Sequence, residues 1–413
     1  MPKFIHFICG NSRINIDSTQ RCKVFSHTID IAPPNLQNHS TSNYTKTTIY
    51  KSIRILILSM KICGMCFERC NISHSSILWK FYSLFIGAIL LFNIFRCTIT
   101  YGIGGIYDEG LFIRLQWLIW SLENLIKLIV FLVIFYKEDR IPALFIMMDK
   151  TASLGYSKSV KRFLSIVISL SIIAPLICCF LHLMLHFCSG YVSKLLMDAM
   201  WPKYLNKYFA NWVEMCFDLF IIYINSSICS SSVGIFVFLC YFVINNMQKL
   251  KQNMNEELNT ASLHYRNLGK HRQVFQGLCD TIYQLDKCFM HFLLLSLIAE
   301  VPLFCVMFYH LIFFAKVSAF IFLSIVINVT MLLYLYTLLF FPAKLNAELL
   351  MFVNQLSGPD IGLTACDIIV ITRQTLLTVA GMLVTYFILM VQFRDSAETK
   401  LSLCMCSNSA NPT

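Results

Sequence analysis

The chain has 413 residues, of which 57% are hydrophobic and only 13% are charged, and its mean hydropathy is +0.66. An ordinary soluble domain is about half apolar and about a quarter charged, so this composition excludes a soluble globular protein and indicates an integral membrane protein. The formal net charge of +11 comes from basic residues between apolar segments. That arrangement is typical of membrane topology signals, and we expect no nucleic-acid partner.

The first 76 residues are polar and basic, and we expect a cytoplasmic region that is partly disordered. Within it, residues 51–60 predict a short amphipathic helix at the membrane surface. A compact cluster of possible metal ligands follows, consisting of Cys63, Cys66, Cys70 and His74. Its spacing is too tight for an ordinary zinc site and has no second half, so unpaired or lipid-modified cysteines are favoured and no metal is expected.

Seven apolar segments follow, each long enough to cross a hydrocarbon core of about 30 Å as a helix. They cover residues 77–99, 112–136, 162–187, 208–246, 288–314, 317–341 and 368–393. The predicted fold class is therefore an all-α membrane protein with seven transmembrane helices.

The distribution of basic residues predicts the orientation. With the N-terminus inside, the inner segments hold 23 Lys and Arg residues when the adjoining span ends (Arg162, Arg373) are included, and the outer segments hold 8, including Arg96 and Arg114 at the span ends. Inner loops are enriched in Lys and Arg, so the N-terminus is predicted inside and the C-terminus, with its tail 395–413, outside. Apolar residues at helical spacing in 247–287 and 342–367 indicate helices that continue past the membrane, which predicts a cytoplasmic helical anchor layer.

Other seven-span and enzymatic classes fit less well. A G-protein-coupled receptor needs an outside N-terminus and usually has Asn-Pro-x-x-Tyr in its last span, which this chain lacks. No phosphate loop, nucleophile elbow or metalloprotease motif is present, so we expect neither an enzyme nor a cofactor. A non-channel seven-transmembrane receptor and a membrane transporter stay open as alternatives.

Aromatic and polar residues collect in the predicted spans near their outer halves. Such a mixture lines small-molecule pockets, but an interfacial aromatic belt has the same composition, and both interpretations stay open. Glu123 also lies four residues before Lys127, which favours a neutralising ion pair over a ligand contact. The candidate pocket residues are Trp117, Trp120, Glu123, His182, Trp212, Asp218, Tyr309 and His310.

The last span carries two ridges. Thr385 and Gln392 are seven residues apart and so lie on nearly one face, which Gly381 and Ile388 share. Tyr386 begins a second, aromatic ridge that repeats seven residues later. A polar ridge of this kind is typical of a helix that faces water, although a few polar side chains also occur in ordinary membrane helices.

This stretch, Thr385-Tyr386, five apolar residues and then Gln392-Phe393, resembles the signature at the end of insect (arthropod) gustatory receptors. The resemblance implies a ligand-gated, nonselective cation channel opened by a small-molecule tastant. It implies a homo- or heterotetramer with other gustatory receptors, in contact with membrane lipid, in the plasma membrane of sensory neurons.

The resemblance also implies which parts of the chain bind ligand, anchor the subunits and line the pore. Residues 77–341 would form the ligand-binding spans one to six, 342–367 the anchor segment and 368–394 the pore helix. The pore and gate residues would be Gln392, Phe393, Ile388 and Thr385, with Tyr386 at a subunit contact.

Overall fold

The computed structural model describes residues 47–65, 74–103, 110–134, 140–151, 157–188, 211–259, 265–313, 318–356, 364–365, 369–372, 374–389 and 392. The described helices are α1 (Thr48–Ile62), α2 (His74–Ile103), α3 (Gly110–Leu132), α4 (Arg140–Thr151), α5 (Lys158–Cys188), α6 (Asn211–Asn259), α7 (Tyr265–Phe313), α8 (Ser318–Leu356) and α9 (Gln374–Leu389). Six of these, α2, α3, α5, α6, α7 and α8, are long and apolar enough to cross a membrane, and α9 is a shorter apolar helix. The predicted all-α membrane fold is confirmed.

The long helices follow the predicted spans closely and extend beyond some of them. Helix α6 continues to Asn259 and α7 begins at Tyr265, so the region 247–287 is largely helical, as its periodicity indicates. Helix α8 likewise continues to Leu356. We call the end of the bundle that holds these continuations the extended end.

The last span begins later than its apolar pattern predicts. Two short strands precede it, β1 (Thr364–Ala365) and β2 (Ile369–Val370), which pair in antiparallel register. Helix α9 then starts at Gln374. Ile369 and Val370 therefore belong to this short pairing and not to the helix.

Helix α6 lies at the centre of the bundle. Of its apolar window 78% is buried, against 22% for α5, which therefore turns most of its surface outward. The core around α6 includes a group of Phe rings: Phe236 and Phe289 lie 5.1 Å apart, and Phe131 and Phe292 lie 5.7 Å apart. Aromatic pairs at such spacings add to the apolar burial that holds the helices together.

Helices α5 and α6 approach closely because small residues meet at their contact. The hydroxyl of Ser230 donates to the carbonyl of Ser171 at 3.2 Å, and that of Ser171 donates to the carbonyl of Ser230 at 3.4 Å. A Cβ on Gly234 would lie only 2.6 Å from the Ser171 hydroxyl. Small residues at such a seam permit close backbone approach in membrane helices.

Helix α1 confirms the predicted helix at 51–60, but it packs among the spans instead of lying apart on the membrane surface. The hydroxyl of Ser59 in α1 lies 3.1 Å from the hydroxyl of Ser231 in α6. The chain turns at Gly64, which has φ +84 and approaches the Ile86 side chain of α2. Cys63 is 2% exposed, so this cysteine is inaccessible to lipid modification; Cys66 and Cys70 lie outside the described residues.

Hydrogen bonds join several helices at the extended end. Arg140 of α4 donates to the Lys287 carbonyl of α7 at 2.8 Å, and Gln248 of α6 donates to Glu348 of α8 at 2.8 Å. Asn346 of α8 donates to the carbonyl of Ile371, just before α9, at 2.5 Å. These contacts join α4, α6, α7 and α8 in pairs at the extended end, and they tie the segment before α9 to α8.

Candidate functional site

Three of the candidate pocket residues meet on the inner faces of α3 and α5. The rings of Trp117 and Trp120, one helical turn apart, have centroids 5.7 Å apart, and the Trp117 ring lies 6.2 Å from His182. Phe217 of α6 belongs to the same apolar cluster. Trp117 and His182 are each 7% exposed. We call Trp117, Trp120, His182 and Phe217 the aromatic cluster.

A buried polar network borders the aromatic cluster. Arg96 of α2 donates to the carboxylate of Asp218 at 2.6 Å and to the side chain of Asn93 at 2.7 Å. Asn93 donates to Ser121 of α3 at 2.7 Å, and Asn225 of α6 donates to the same hydroxyl at 3.3 Å. A guanidinium buried in this way needs a carboxylate partner, and Asp218 supplies it. Three helices are thus joined beside the cluster.

The guanidinium of Arg96 also faces an aromatic ring, with its carbon 5.4 Å from the centre of Phe217. Sequence reasoning counted Arg96 among the outer charges and missed this role. The signal available was an Arg three residues after an Asn inside an apolar run, since an intramembrane cation usually has a buried partner.

A second group of charges lies between α3, α7 and α8. Lys127 forms an ion pair with Glu123, four residues earlier, and lies 4.0 Å from the carboxylate of Glu300. It also donates to the hydroxyl of Tyr334 at 2.9 Å. We call these four residues the buried charge cluster. Glu123 therefore pairs with Lys127, as the order of the two residues favours.

The remaining pocket candidates do not join the aromatic cluster in the way predicted. Trp212 is 65% exposed at the start of α6, so it faces outward and is corrected from a pocket residue to a surface aromatic. Its side of the helix turns away from the bundle. Asp218 is held by Arg96, and Tyr309 is partly buried near the end of α7. The side chain of His310 lies outside the described residues.

Helix α9 has one packed face and one exposed face. Val379 is 5% exposed, and the Phe387 ring packs against Phe308 of α7 with centroids 5.1 Å apart. Opposite them runs an exposed stripe at helical spacing, made of Leu377, Gly381, Val384, Thr385, Ile388 and Gln392. We call this the open face. Phe393 lies outside the described residues.

The side chains on α9 show how polar the predicted ridges are. The hydroxyl of Thr385 donates to the carbonyl of Gly381 at 2.9 Å, so most of its polarity is satisfied within the helix. Ile388 is 49% exposed and Tyr386 is 36% exposed. The open face is therefore mainly apolar up to Gln392, which supplies an amide at its end.

Side-chain contacts, joined by single turns of α3 and α7, lead from the aromatic cluster to α9. Trp120 lies one turn before Glu123 in α3, and Lys127 connects that helix to Glu300 in α7. One turn after Glu300, the ring of Phe304 stacks on Phe308 at 5.8 Å. Phe308 then contacts Phe387 in α9, as described above. The structure thus joins the two candidate sites through α7; none of Phe304, Phe308 or Tyr334 is marked by a sequence pattern.

The chain is similar in structure to the insect olfactory receptor OR5 from Machilis hrabei, with a TM-score of 0.63 and 13% sequence identity over 85% of this chain and 100% of that chain. The same receptor in complex with eugenol matches with a TM-score of 0.64, also at 13% identity and with the same coverage. No protein-family model matches the sequence, and no curated protein matches it. At this identity the likeness concerns the fold: the chain has the fold of an insect olfactory receptor.

Proposed function

We propose that this chain is a subunit of a ligand-gated, nonselective cation channel, a gustatory receptor that small-molecule tastants open. Its place is the plasma membrane of sensory neurons, as a homo- or heterotetramer with other gustatory receptors. Support comes from the Thr385–Phe393 signature and from a fold shared with an insect olfactory receptor.

The open face of α9 carries the proposal. Leu377 is 70% exposed and Val384 is 59% exposed, on a helix whose other face packs on the bundle. A Cβ added to Gly381 would meet nothing within 4 Å among the described residues. A face of this kind suits assembly around an axis, where copies of α9 surround a pore and neighbouring subunits cover Tyr386.

The chemistry of the open face suits a gate with weak ion selectivity. A ring of Ile388 side chains narrows an apolar passage that closes by dewetting, and a ring of Gln392 amides lies near its outer mouth. Helix α9 contains no Asp or Glu from Gln374 to Leu389. Cations therefore pass without an acidic ring to select among them.

The aromatic cluster is the proposed ligand site. Apolar rings bind the body of a small molecule, and a few buried polar groups fix its orientation. Here Arg96, Asp218 and Asn225 stand beside the rings, so the preferred ligand is a small, mostly apolar molecule with a hydrogen-bonding group. The olfactory receptor of similar fold binds eugenol, a ligand of this general kind.

Ligand binding reaches the pore through α7. A ligand among the rings shifts α3, Lys127 transmits the shift to Glu300, and Phe308 moves Phe387 on α9. The channel opens when the ligand binds more tightly to the open packing than to the closed one. Pro302 in α7, between the charge and the aromatic contact, removes a backbone hydrogen bond and allows the helix to bend there.

The orientation in the membrane follows the charge distribution. Arg96 and Arg114 are buried in α2 and α3, so neither is a charge of an outer loop. Their removal from the outer count strengthens the bias of Lys and Arg toward the extended end. We therefore place the extended end in the cytoplasm and the end of α9 outside.

The proposal is tested by expressing the chain in oocytes, alone and with candidate partner subunits, and recording currents over a tastant panel. An agonist should evoke a cation current that reverses near zero potential. Gln392→Ala should change gating or conductance, whereas Gln276→Ala, an exposed amide on the α7 extension, should not. Agonist-evoked currents that are identical in the wild type and in Gln392→Ala would refute the pore assignment.

A further inference from the structure

Helices α1 and α5 run side by side in the same direction away from the extended end. Both pack antiparallel to α6: Ser59 of α1 lies 3.1 Å from Ser231, and Ser159 of α5 lies 2.6 Å from Tyr241. Near Gly234 of α6 the two helices reach the same height. Its Cβ position lies 3.7 Å from Leu56 and 3.2 Å from Val167.

On the exposed faces of both helices, the side chains change from charged to apolar near the level of Gly234, on the side toward the extended end. Toward the extended end each face is basic, and toward the other end it is mainly apolar, with the half-buried Lys61 in the last turn of α1 as the exception. On α1, Ile55 and Leu58 are 55% and 51% exposed; on α5, Ile166 and Leu170 are 55% and 61% exposed. The basic belt consists of the exposed side chains Lys51, Arg54, Lys158, Lys161 and Arg162.

The five charges occupy a narrow zone. At 1.5 Å per residue they lie about 3 to 14 Å below the level of Leu56 and Val167. This is the depth over which the exposed surface passes from charged to apolar, as expected where lipid headgroups meet acyl chains. Two helices that pack together hold the charges, so their spacing is set by the fold and not by a flexible loop.

Few carboxylates oppose the basic belt among the described residues. Neither α1 nor α5 contains Asp or Glu. The nearby Asp149 of α4 accepts a hydrogen bond from the Thr48 amide at 3.0 Å, and its neighbour Lys150 adds another exposed cation. Glu348 of α8 is held by Gln248. The local field is therefore positive.

We propose that the basic belt binds an inner-leaflet lipid whose headgroup carries several phosphate charges. Clusters of about four to eight Lys and Arg residues beside a membrane segment favour such headgroups. The arginine guanidinium adds bidentate contacts to phosphate. The acyl chains lie along the exposed Ile55, Leu58, Ile166 and Leu170, directly above the charges. The bound lipid holds α1 against α5 and α6.

The experiment measures binding without any channel current, so its outcome is separate from that of the proposed function. The purified full chain is reconstituted in nanodiscs of phosphatidylcholine alone, with added phosphatidylserine, or with added phosphatidylinositol bisphosphate. Thermal stability and lipid retention by native mass spectrometry are recorded. A further sample receives soluble inositol trisphosphate. The variant carries Lys51→Gln, Arg54→Gln, Lys158→Gln, Lys161→Gln and Arg162→Gln. The control removes four other cations of the extended end, through Lys249→Gln, Lys251→Gln, Lys270→Gln and Arg272→Gln, and the two variants are compared per charge removed.

We expect the bisphosphate lipid to stabilise the wild type and the control more than phosphatidylserine does. Each charge removed from the belt should weaken retention about fivefold. Equal effects of the two anionic lipids would overturn the proposal, because they indicate diffuse attraction. Equal stabilisation by the soluble headgroup would overturn the lipid assignment. A control variant that loses retention as the belt variant does would also overturn it.

Discussion

Replacement of Lys127 tests the buried charge cluster most severely. The Lys127 ammonium pairs with Glu123, lies 4.0 Å from Glu300 and donates to Tyr334 at 2.9 Å. The side chains of Lys127 and Glu123 are 0% exposed and that of Glu300 is 5% exposed. Lys127→Met therefore leaves two carboxylates buried without the cation that compensates them.

We expect Lys127→Met to lower the free energy of unfolding strongly, because water does not reach the cluster to solvate the two carboxylates. Removing one partner of a buried ion pair typically costs about 3–5 kcal/mol. The triple variant Lys127→Met/Glu123→Gln/Glu300→Gln removes all three charges and keeps similar side-chain volumes. It should recover most of that loss, because neutral replacement of a whole buried cluster is often tolerated.

The assay is thermal unfolding of the purified protein in detergent, followed by size-exclusion chromatography. We expect Lys127→Met to lower the melting temperature by about 3–6 °C, because a chain of 413 residues unfolds with an entropy of roughly 0.9 kcal/mol/K. The exposed Lys270→Met serves as the control and should behave like the wild type. If the single variant is as stable as the wild type, or if the triple variant is as unstable as the single one, the reasoning about the cluster is wrong.

Three further variants test other contacts. Gly64→Ala should lower stability by about 1–2 kcal/mol, because φ is +84 and an added Cβ would lie 3.0 Å from an α2 side chain; thermal melting compares it with Gly269→Ala, where nothing lies within 4 Å. Trp117→Ala should raise the agonist concentration for half-maximal current at least tenfold, whereas Trp79→Ala, at the opposite end of the bundle, should change it little; equal shifts would count against the ligand site. Phe308→Ala should reduce the maximal current at unchanged surface expression and leave ligand binding intact, as radioligand or fluorescence binding would show. A loss of ligand binding would contradict the proposal that Phe308 transmits the signal from the ligand site to α9.

The fold was predictable because its main signals are local. A long apolar run and a 3.6-residue period depend on neighbouring residues, so the six long helices and their continuations at the extended end follow from the sequence. The start of α9 did not follow, because Ile369 pairs with Ala365 in a short β contact that no periodicity reveals. The packing of α1 among the spans likewise depends on distant small residues in α6.

The candidate sites were predictable only in part. The open face of α9 follows from residues within one helix, and the structure exposes Gly381, Thr385 and Ile388 as their spacing indicates. The Arg96–Asp218 pair joins residues 122 positions apart, and the contact between Phe308 and Phe387 joins α7 to α9. Such pairs depend on how each helix is rotated about its axis and on which helices are neighbours in the bundle, and neither is visible in a local sequence pattern. The same rotation turns Trp212 outward.

The most direct test of the pore assignment is cysteine accessibility on the open face. Agonist-evoked current through the Ile388→Cys variant is recorded before and after addition of a charged methanethiosulfonate reagent. The wild type is one control, because the chain has 18 native cysteines. Leu176→Cys is the other, because Leu176 is 55% exposed on α5, away from the open face. If Ile388 lines a ligand-gated pore, the reagent blocks or strongly alters the current of that variant, faster with agonist than without it, and spares both controls. Unchanged current through modified Ile388→Cys would contradict the assignment of α9 as the pore helix.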